Sequence, residues 1–281
     1  MSSTALLAHQ VDGEGEPLLL LNGGMMSFTA WDAYVPPLAA KHRVIRCDLR
    51  GMLRSPGARP EGFPGHAEDL LALLDHLGVS SAHVAGTSYG AFAGLHLAAL
   101  APDRVASLVA MTVADRVSAE MWAEAERMAV ACREALAGGS REKVYDLVSA
   151  FAFSEEWAEA HAEEIAARRA AVSFLPDSWF SGLASLLSAL EGLDARPLLP
   201  RVTCPVLVLL AVGDRAMPRP WGESLVAALP RGELAVVPGC GHGLVVEKPR
   251  ETLAHLLAFL ARHPLPVEAP TRQPERNGGT P

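Results

Sequence analysis

Ser88 lies at the centre of a glycine-bounded stretch, Gly86-Thr87-Ser88-Tyr89-Gly90, between a short apolar run and an alanine- and leucine-rich helical pattern. This order predicts a strand, a sharp turn and a helix, with the serine at the apex of the turn. Glycines two positions to either side would let the strand and the helix pass closely beneath the serine. The alternative is an ordinary glycine-rich turn, but the flanking strand and helix patterns favour a nucleophile presented at a helix N-terminus.

A serine hydroxyl is a poor nucleophile until a base removes its proton as it attacks. His242, between two glycines, is the candidate base, since an imidazole exchanges protons near neutral pH. Asp214, which follows Gly213, is the candidate carboxylate that orients the imidazole and stabilises its charged form. Asp115 is the competing acid because it follows the preceding predicted strand. We expect Ser88, Asp214 and His242 to be the catalytic residues.

These side chains must come from elements that share one edge of a sheet. Short apolar runs alternate with helical patterns, which predicts the α/β class: a mostly parallel central sheet flanked by helices. In such sheets ligands bind beyond the carboxyl ends of the strands, where all three candidates fall. Besides the run before Gly86, the predicted strands are Pro17–Leu21, Arg43–Cys47, Val105–Val113, Pro205–Val212 and Leu234–Val237.

The stretch from Asp115 to Asp194 interrupts the alternation, since it contains helical spacing and no convincing strand. We expect three or four helices there, with breaks at Gly138-Gly139 and around Pro176. Residues 1–114 and 196–264 would form the core, and residues 115–195 an inserted helical cap. The proline- and glycine-rich residues 265–281 are predicted to be disordered and without a functional role.

Taken together, these motifs resemble the α/β-hydrolase fold superfamily, in its small cap-bearing esterase, enol-lactonase and perhydrolase-like branch. The resemblance runs from about Pro17 to His263 and has the order serine, acid, histidine. It is highly specific for the fold and much less so for the substrate. The motifs that carry it are Asn22-Gly23-Gly24, Asp48-Leu49-Arg50-Gly51, Gly86-Thr87-Ser88-Tyr89-Gly90, Gly213-Asp214 and Gly241-His242-Gly243.

The resemblance implies an oxyanion hole made of two backbone N–H groups. One belongs to Tyr89, directly after the nucleophile, and the other to Gly24, with Met25 as the alternative. Two departures from the family pattern stand out: many relatives have His-Gly where this chain has Asn22-Gly23, and Gly51-Met52-Leu53 replaces Gly-His-Gly. The first is tolerated in enol-lactonase-like members, and the second concerns local geometry rather than chemistry.

Met25, Met26 and Trp179 are the candidate substrate-binding residues. The two methionines serve equally well as core filler or as part of the acyl pocket, and an aromatic residue in a helical insertion is more often core than ligand wall. The apolar content of the insertion indicates a mostly apolar acyl or alcohol portion in the substrate.

The expected activity is that of a serine esterase or lactonase, which cleaves a small carboxylic ester or lactone through an acyl-enzyme, without a cofactor. A serine nucleophile argues against dehalogenase and epoxide-hydrolase chemistry, for which the resemblance would require an aspartate. The same three residues would also serve perhydrolysis, carbon–carbon bond hydrolysis or a lyase step, because the fold does not decide among these. A weakly catalytic ligand-binding protein is the other alternative.

Composition excludes several other functions. The 281 residues carry a net charge of −8 without a basic cluster, so no nucleic-acid partner is expected. No apolar run reaches membrane-spanning length and no secretory signal is visible, so we expect no membrane partner and a cytoplasmic protein. The histidines show no metal-ligand spacing, and Cys240, two residues before His242, lies on no turn that would present it as a nucleophile. The oligomeric state is left open.

Overall fold

The computed structural model describes residues 6–55, 57, 60 and 62–265. Within them, seven strands form one sheet in the order β1-β3-β2-β4-β5-β6-β7, with β1 antiparallel to β3 and every other pairing parallel. The expected mostly parallel α/β sheet is therefore confirmed. The strands are β1 (His9–Asp12), β2 (Glu16–Leu21), β3 (His42–Cys47), β4 (Ala82–Thr87), β5 (Val105–Met111), β6 (Val206–Ala211) and β7 (Gly232–Val237).

Helices cover both faces of this sheet, and a further group lies in the segment between β5 and β6. They are α1 (Val35–Ala39), α2 (Gly62–His76), α3 (Tyr89–Leu100), α4 (Ala119–Leu136), α5 (Glu142–Ala152), α6 (Glu155–Ala160), α7 (Ala162–Val172), α8 (Asp177–Ser188), α9 (Arg219–Ala228), α10 (Leu244–Glu247) and α11 (Pro249–Arg262). None of the helices in the described residues combines the length and hydropathy that crossing a bilayer requires.

The leucines of β2 show why the central strands are apolar throughout. Leu19 and Leu21 pack into the layer that contains α2, α3 and part of the inserted helices, whereas Leu18 and Leu20 pack into the layer that contains α1 and α11. Successive strand residues face opposite sides, so a sheet covered on both sides needs apolar residues at every position.

Helices α4 to α8 lie between β5 and β6, and we call residues 115–195 the helical insertion. Its two ends pair with each other: Arg116 and Asp194 form an antiparallel bridge, Val117 N donates to Leu193 O at 2.9 Å, and Ala195 N donates to Asp115 O at 2.8 Å. The described residues thus hold five helices here rather than the three or four expected. The predicted tail, 265–281, lies outside the described residues except for Leu265.

The insertion is packed directly onto the loop after β3. A Cβ added to Gly182 of α8 would lie 1.9 Å from the carbonyl oxygen of Gly51, so only a glycine fits at this approach. Helix α8 also packs along α4. This contact fixes the height of α8 above the carboxyl edge of the sheet.

Candidate active site

Ser88 ends the turn between β4 and α3 with a strained backbone (φ 52°, ψ −117°). A non-glycine residue in this region persists only where its surroundings enforce it, and such residues cluster at functional sites. The flanking glycines are required by space: a Cβ on Gly86 would lie 2.5 Å from Gly90 O, and a Cβ on Gly90 2.6 Å from Leu21 O. Ser88 N also donates to Met111 O at 2.9 Å, which ties the turn to β5.

His242 lies between Ser88 and Asp214. Its Nε2 is 2.9 Å from Ser88 Oγ, and its Nδ1 is 2.9 Å from Asp214 Oδ2 and 3.1 Å from Oδ1. In the neutral ring, Nδ1–H donates to the carboxylate, and Nε2 is left to accept the hydroxyl proton of Ser88. The structure therefore brings together three side chains that the sequence separates by as many as 154 residues.

Asp214 is held in place by its own loop. Its carboxylate is buried, and Oδ1 also accepts hydrogen bonds from Ala216 N at 2.9 Å and Met217 N at 2.7 Å. A carboxylate with fixed oxygens in turn fixes the plane and tautomer of the imidazole beside it.

Asp115, the competing acid, lies elsewhere. It is fully buried, and its Oδ2 accepts from Ser224 Oγ at 2.7 Å and from Arg116 Nη1 at 3.1 Å. Of the two acids considered from the sequence, Asp214 is the one that contacts His242.

Gly24 and Tyr89, the two residues expected to supply the oxyanion donors, are neighbours in the structure. Tyr89 is the first residue of α3, where N–H groups point out of the helix end, and a Cβ built on Gly24 would lie 3.9 Å from Tyr89 Cβ. The Gly24 amide has no hydrogen-bond acceptor among the described residues. Met26 N donates to Gly23 O at 3.0 Å, closing the tight turn that carries Gly24 and Met25.

The side chain of Asn22 anchors the start of this turn. It is fully buried, its Nδ2 donates to Asp48 Oδ1 at 2.8 Å and to Cys47 O at 3.1 Å, and its Oδ1 accepts from Trp31 Nε1 at 2.9 Å. The amide thus joins the ends of β2 and β3, which explains how asparagine is accommodated where many relatives have histidine. Met52 is buried beside it, as expected of a packing loop.

A cavity of about 940 Å³ opens over Ser88 and His242, between the sheet edge and the insertion. Met25, Met26 and Trp179 all lie on its wall. Most of the other lining side chains are apolar, and they include Met121, Met128, Phe151, Leu183, Leu187 and Trp221. Charged lining residues are engaged with one another or with neighbours: Arg127 pairs with Glu124 at 3.1 Å, and Arg168 with Glu164 at 2.7 Å.

Two neighbours of His242 were not singled out from the sequence. The Phe151 ring lies edge-on to the imidazole, with centroids 6.2 Å apart, and the buried carboxylate of Glu247 accepts from Gly241 N at 2.8 Å. Glu247 ends an otherwise apolar run, Leu244-Val245-Val246, and a charge in such a run was the available signal.

Other reactive groups do not compete with Ser88. Cys240 is buried, and burial raises the pKa of its thiol to about 12. Within the described ranges, no group of three or more His, Cys, Asp or Glu side chains could hold a metal ion.

The chain is similar to known hydrolases over most of its length. It is 30% identical to the "Putative carbamate hydrolase RutD" of Variovorax paradoxus, over 91% of this chain and 96% of that protein. A thermophilic esterase from Thermogutta terrifontis superposes with a TM-score of 0.79 at 28% identity, covering 92% of this chain and 94% of the esterase.

The enol-lactonase from Burkholderia xenovorans LB400 shares the fold, with a TM-score of 0.80 at 24% identity, covering 91% of this chain and 96% of that one. The family model described as alpha/beta hydrolase fold matches residues 16–249, which include Ser88, Asp214 and His242. The sheet order, the serine turn and these matches agree, and the chain belongs to the alpha/beta hydrolase fold family.

Proposed function

We propose that the chain is a serine hydrolase that cleaves a carboxylic ester or lactone through an acyl-enzyme. The observation that carries this proposal is the position of His242, which lies within hydrogen-bond distance of both Ser88 Oγ and Asp214. A base placed between a strained serine and a buried carboxylate is suited to acyl transfer.

In the proposed reaction Ser88 Oγ attacks the carbonyl carbon, and its proton passes to His242 Nε2. Asp214 stabilises the resulting imidazolium through Nδ1–H. The amides of Gly24 and Tyr89 bind the negative carbonyl oxygen, and losing one such donor typically slows the reaction by about 100- to 1,000-fold. The alcohol leaves with the proton from His242, and a water molecule then attacks the acyl-enzyme by the same steps and regenerates the serine.

The cavity supports an ester with a bulky apolar portion. Its volume of about 940 Å³ lies near the upper end of the range for small-molecule sites, and Met25, Met26 and Trp179 would contact the acyl or alcohol group. The helical insertion, residues 115–195, would act as the cap over that group. The relative from Variovorax paradoxus is named a putative carbamate hydrolase. The parent carbamate ion has only a handful of atoms and would leave most of this apolar space empty, whereas a carbamate ester with a bulky group would not.

An organophosphonate probe followed by peptide mass mapping tests the nucleophile. The label is expected on the peptide that contains Ser88 and is expected to be lost in Ser88→Ala. Labelling that persists in the variant would refute the assignment.

A panel of short and long aryl esters, lactones, carbamates and peracid formation tests the reaction. We expect hydrolysis of esters, with kcat/KM rising as the apolar portion grows. Efficient carbamate hydrolysis or peracid formation with no hydrolysis of esters or lactones would overturn the proposal, and so would tight binding of an ester without turnover.

A further inference from the structure

The loop that carries His242 has a sequence that permits many backbone conformations, but hydrogen bonds restrain it in the structure. Glycines on both sides, Gly241 and Gly243, impose little restriction on backbone rotation. Each glycine amide is nevertheless bonded: Gly241 N donates to Glu247 Oε1 at 2.8 Å, and Gly243 N donates to Ala152 O at 2.6 Å. The orientation of His242 therefore depends on partners outside its own loop.

One of those partners belongs to the helical insertion, at the junction of α5 and α6 (residues 150–154). A Cβ on Gly241 would lie 2.9 Å from Ala152 O, so the junction presses directly on the loop. Ala150 O accepts a hydrogen bond from Arg215, the residue after Asp214. The junction thus contacts the neighbours of both the proposed base and the proposed acid.

Glu247 connects this junction to the His242 loop. Besides Gly241 N, its carboxylate accepts from Ser154 N at 3.2 Å to each oxygen and from Ser154 Oγ at 2.5 Å. The side chain is only 7% exposed, and a buried charge is tolerated only where it is well hydrogen-bonded. Its donors come from two segments, one on each side of the carboxylate.

We propose that Glu247 is a positioning residue that fastens the helical insertion to the His242 loop and so keeps the imidazole aligned between Ser88 and Asp214. The kinetic part of this inference rests on the proposed hydrolase function. The insertion then does more than enclose substrate: its docked position sets the geometry of the base. Misplacement of a reacting group by about 1 Å can cost about 100-fold in rate, so a small shift of this loop matters.

The test variant is Glu247→Gln, which keeps the volume of the side chain but replaces one acceptor oxygen by an NH₂ group. If that group faces Gly241 N–H, the bond to the His242 loop is lost. If it faces Ser154, the remaining oxygen still accepts from Ser154 N and the hydroxyl accepts from the NH₂ group, so a charge-assisted bond is replaced by a weaker neutral one. We expect kcat on an aryl ester to fall by about 10- to 100-fold, with KM within about threefold of the unchanged protein.

Two further variants serve as a milder test and as a control. Ser154→Ala removes the hydroxyl but leaves the Ser154 N–H donor, so we expect a smaller loss of kcat and a protein that folds even if Glu247→Gln does not. Glu251→Gln makes the same chemical change at an exposed position of α11 and is expected to leave kcat unchanged. A Glu247→Gln protein with a lower Tm but a normal kcat in its folded fraction would assign a purely structural role and overturn the proposal.

Two readouts do not require any turnover. Hydrogen exchange measured by mass spectrometry is expected to rise together at residues 150–154 and 241–243 in Glu247→Gln and to stay unchanged in Glu251→Gln. The downfield proton resonance of His242 Nδ1–H is expected to broaden or disappear in Glu247→Gln alone. If the unchanged protein hydrolyses neither esters nor lactones, the hydrolase proposal fails, and these two readouts alone test whether Glu247 couples the insertion to the His242 loop. Unaltered exchange and an unaltered resonance would refute that coupling.

Discussion

Replacing Asp214 by asparagine should stop the reaction while leaving the fold intact. The structure dictates which way the new amide points. Oδ1 of Asp214 accepts from Ala216 N and Met217 N, so the carbonyl oxygen of asparagine must keep that position. The NH₂ group then occupies the place of Oδ2, 2.9 Å from His242 Nδ1.

This orientation reverses the tautomer of the imidazole. The retained oxygen lies 3.1 Å from Nδ1 but already accepts from two backbone amides, and the closer NH₂ group is a donor, so Nδ1 accepts. The ring proton then moves to Nε2, which faces Ser88 Oγ and can no longer take the hydroxyl proton. The loss of an orienting carboxylate by this route is about 10⁴-fold in kcat. At 1.36 kcal/mol for each factor of ten, that corresponds to about 5.4 kcal/mol of transition-state stabilisation.

The assay is hydrolysis of an aryl ester by Asp214→Asn, with Asp115→Asn as the matched control. Both variants lose one buried carboxylate, but only Asp214 contacts His242. We expect kcat to fall by about 10⁴-fold in the first variant and by less than about tenfold in the second. Retention of activity in Asp214→Asn together with its loss in Asp115→Asn would refute the assignment of the acid.

Three further predictions concern stability and packing. Burial lowers the pKa of His42 and of His83, so the unfolded chain binds more protons below about pH 6.5. The free energy of unfolding should therefore decrease as the pH falls below that value. Measured by urea titration at several pH values, His83→Asn should show a weaker dependence of the unfolding free energy on pH. An unchanged dependence would contradict this prediction. Gly182→Ala introduces a methyl group 1.9 Å from a carbonyl oxygen, which should cost about 1–3 kcal/mol by overpacking and alter KM, whereas an unchanged Tm and KM would show that α8 moves freely. Asn22→Ala leaves Trp31 Nε1 without its acceptor and should cost about 1–3 kcal/mol in urea titrations, with a loss of kcat; wild-type stability would mean that the end of β2 is held by other contacts.

Much of the fold was predictable from the sequence because its signals are local. The apolar runs mark buried strands, and the spacing of Gly86 and Gly90 marks a turn on which a larger residue would collide with neighbouring backbone. Asp214 and His242 follow predicted strands, and the carboxyl ends of parallel strands lie at the same edge of a sheet. The sequence favours Asp214 over Asp115 through the Gly213-Asp214 turn, although both follow strands, and the distances to His242 distinguish the two directly.

The contacts of the insertion were not predictable in this way. Glu247 and Ser154 are 93 residues apart in sequence, and no periodicity links them. The helix boundary between α5 and α6 depends on Ser154, whose Oγ accepts from Trp157 N at 3.3 Å and begins a new helix within an otherwise continuous helical pattern. Whether a methionine or tryptophan faces a cavity or a core likewise depends on where distant helices pack.

The antiparallel bridge between Arg116 and Asp194 bears on how the helical insertion can be replaced in evolution or by engineering. Because the insertion departs and returns at neighbouring points, a replacement of another length could be grafted there without shifting any strand. Substrate preference could then evolve, or be engineered, independently of the scaffold that supplies the nucleophile. A grafted insertion would also have to supply a hydrogen-bond donor for Glu247. It should therefore carry a serine, or another residue with a short hydroxyl side chain, at the position of Ser154.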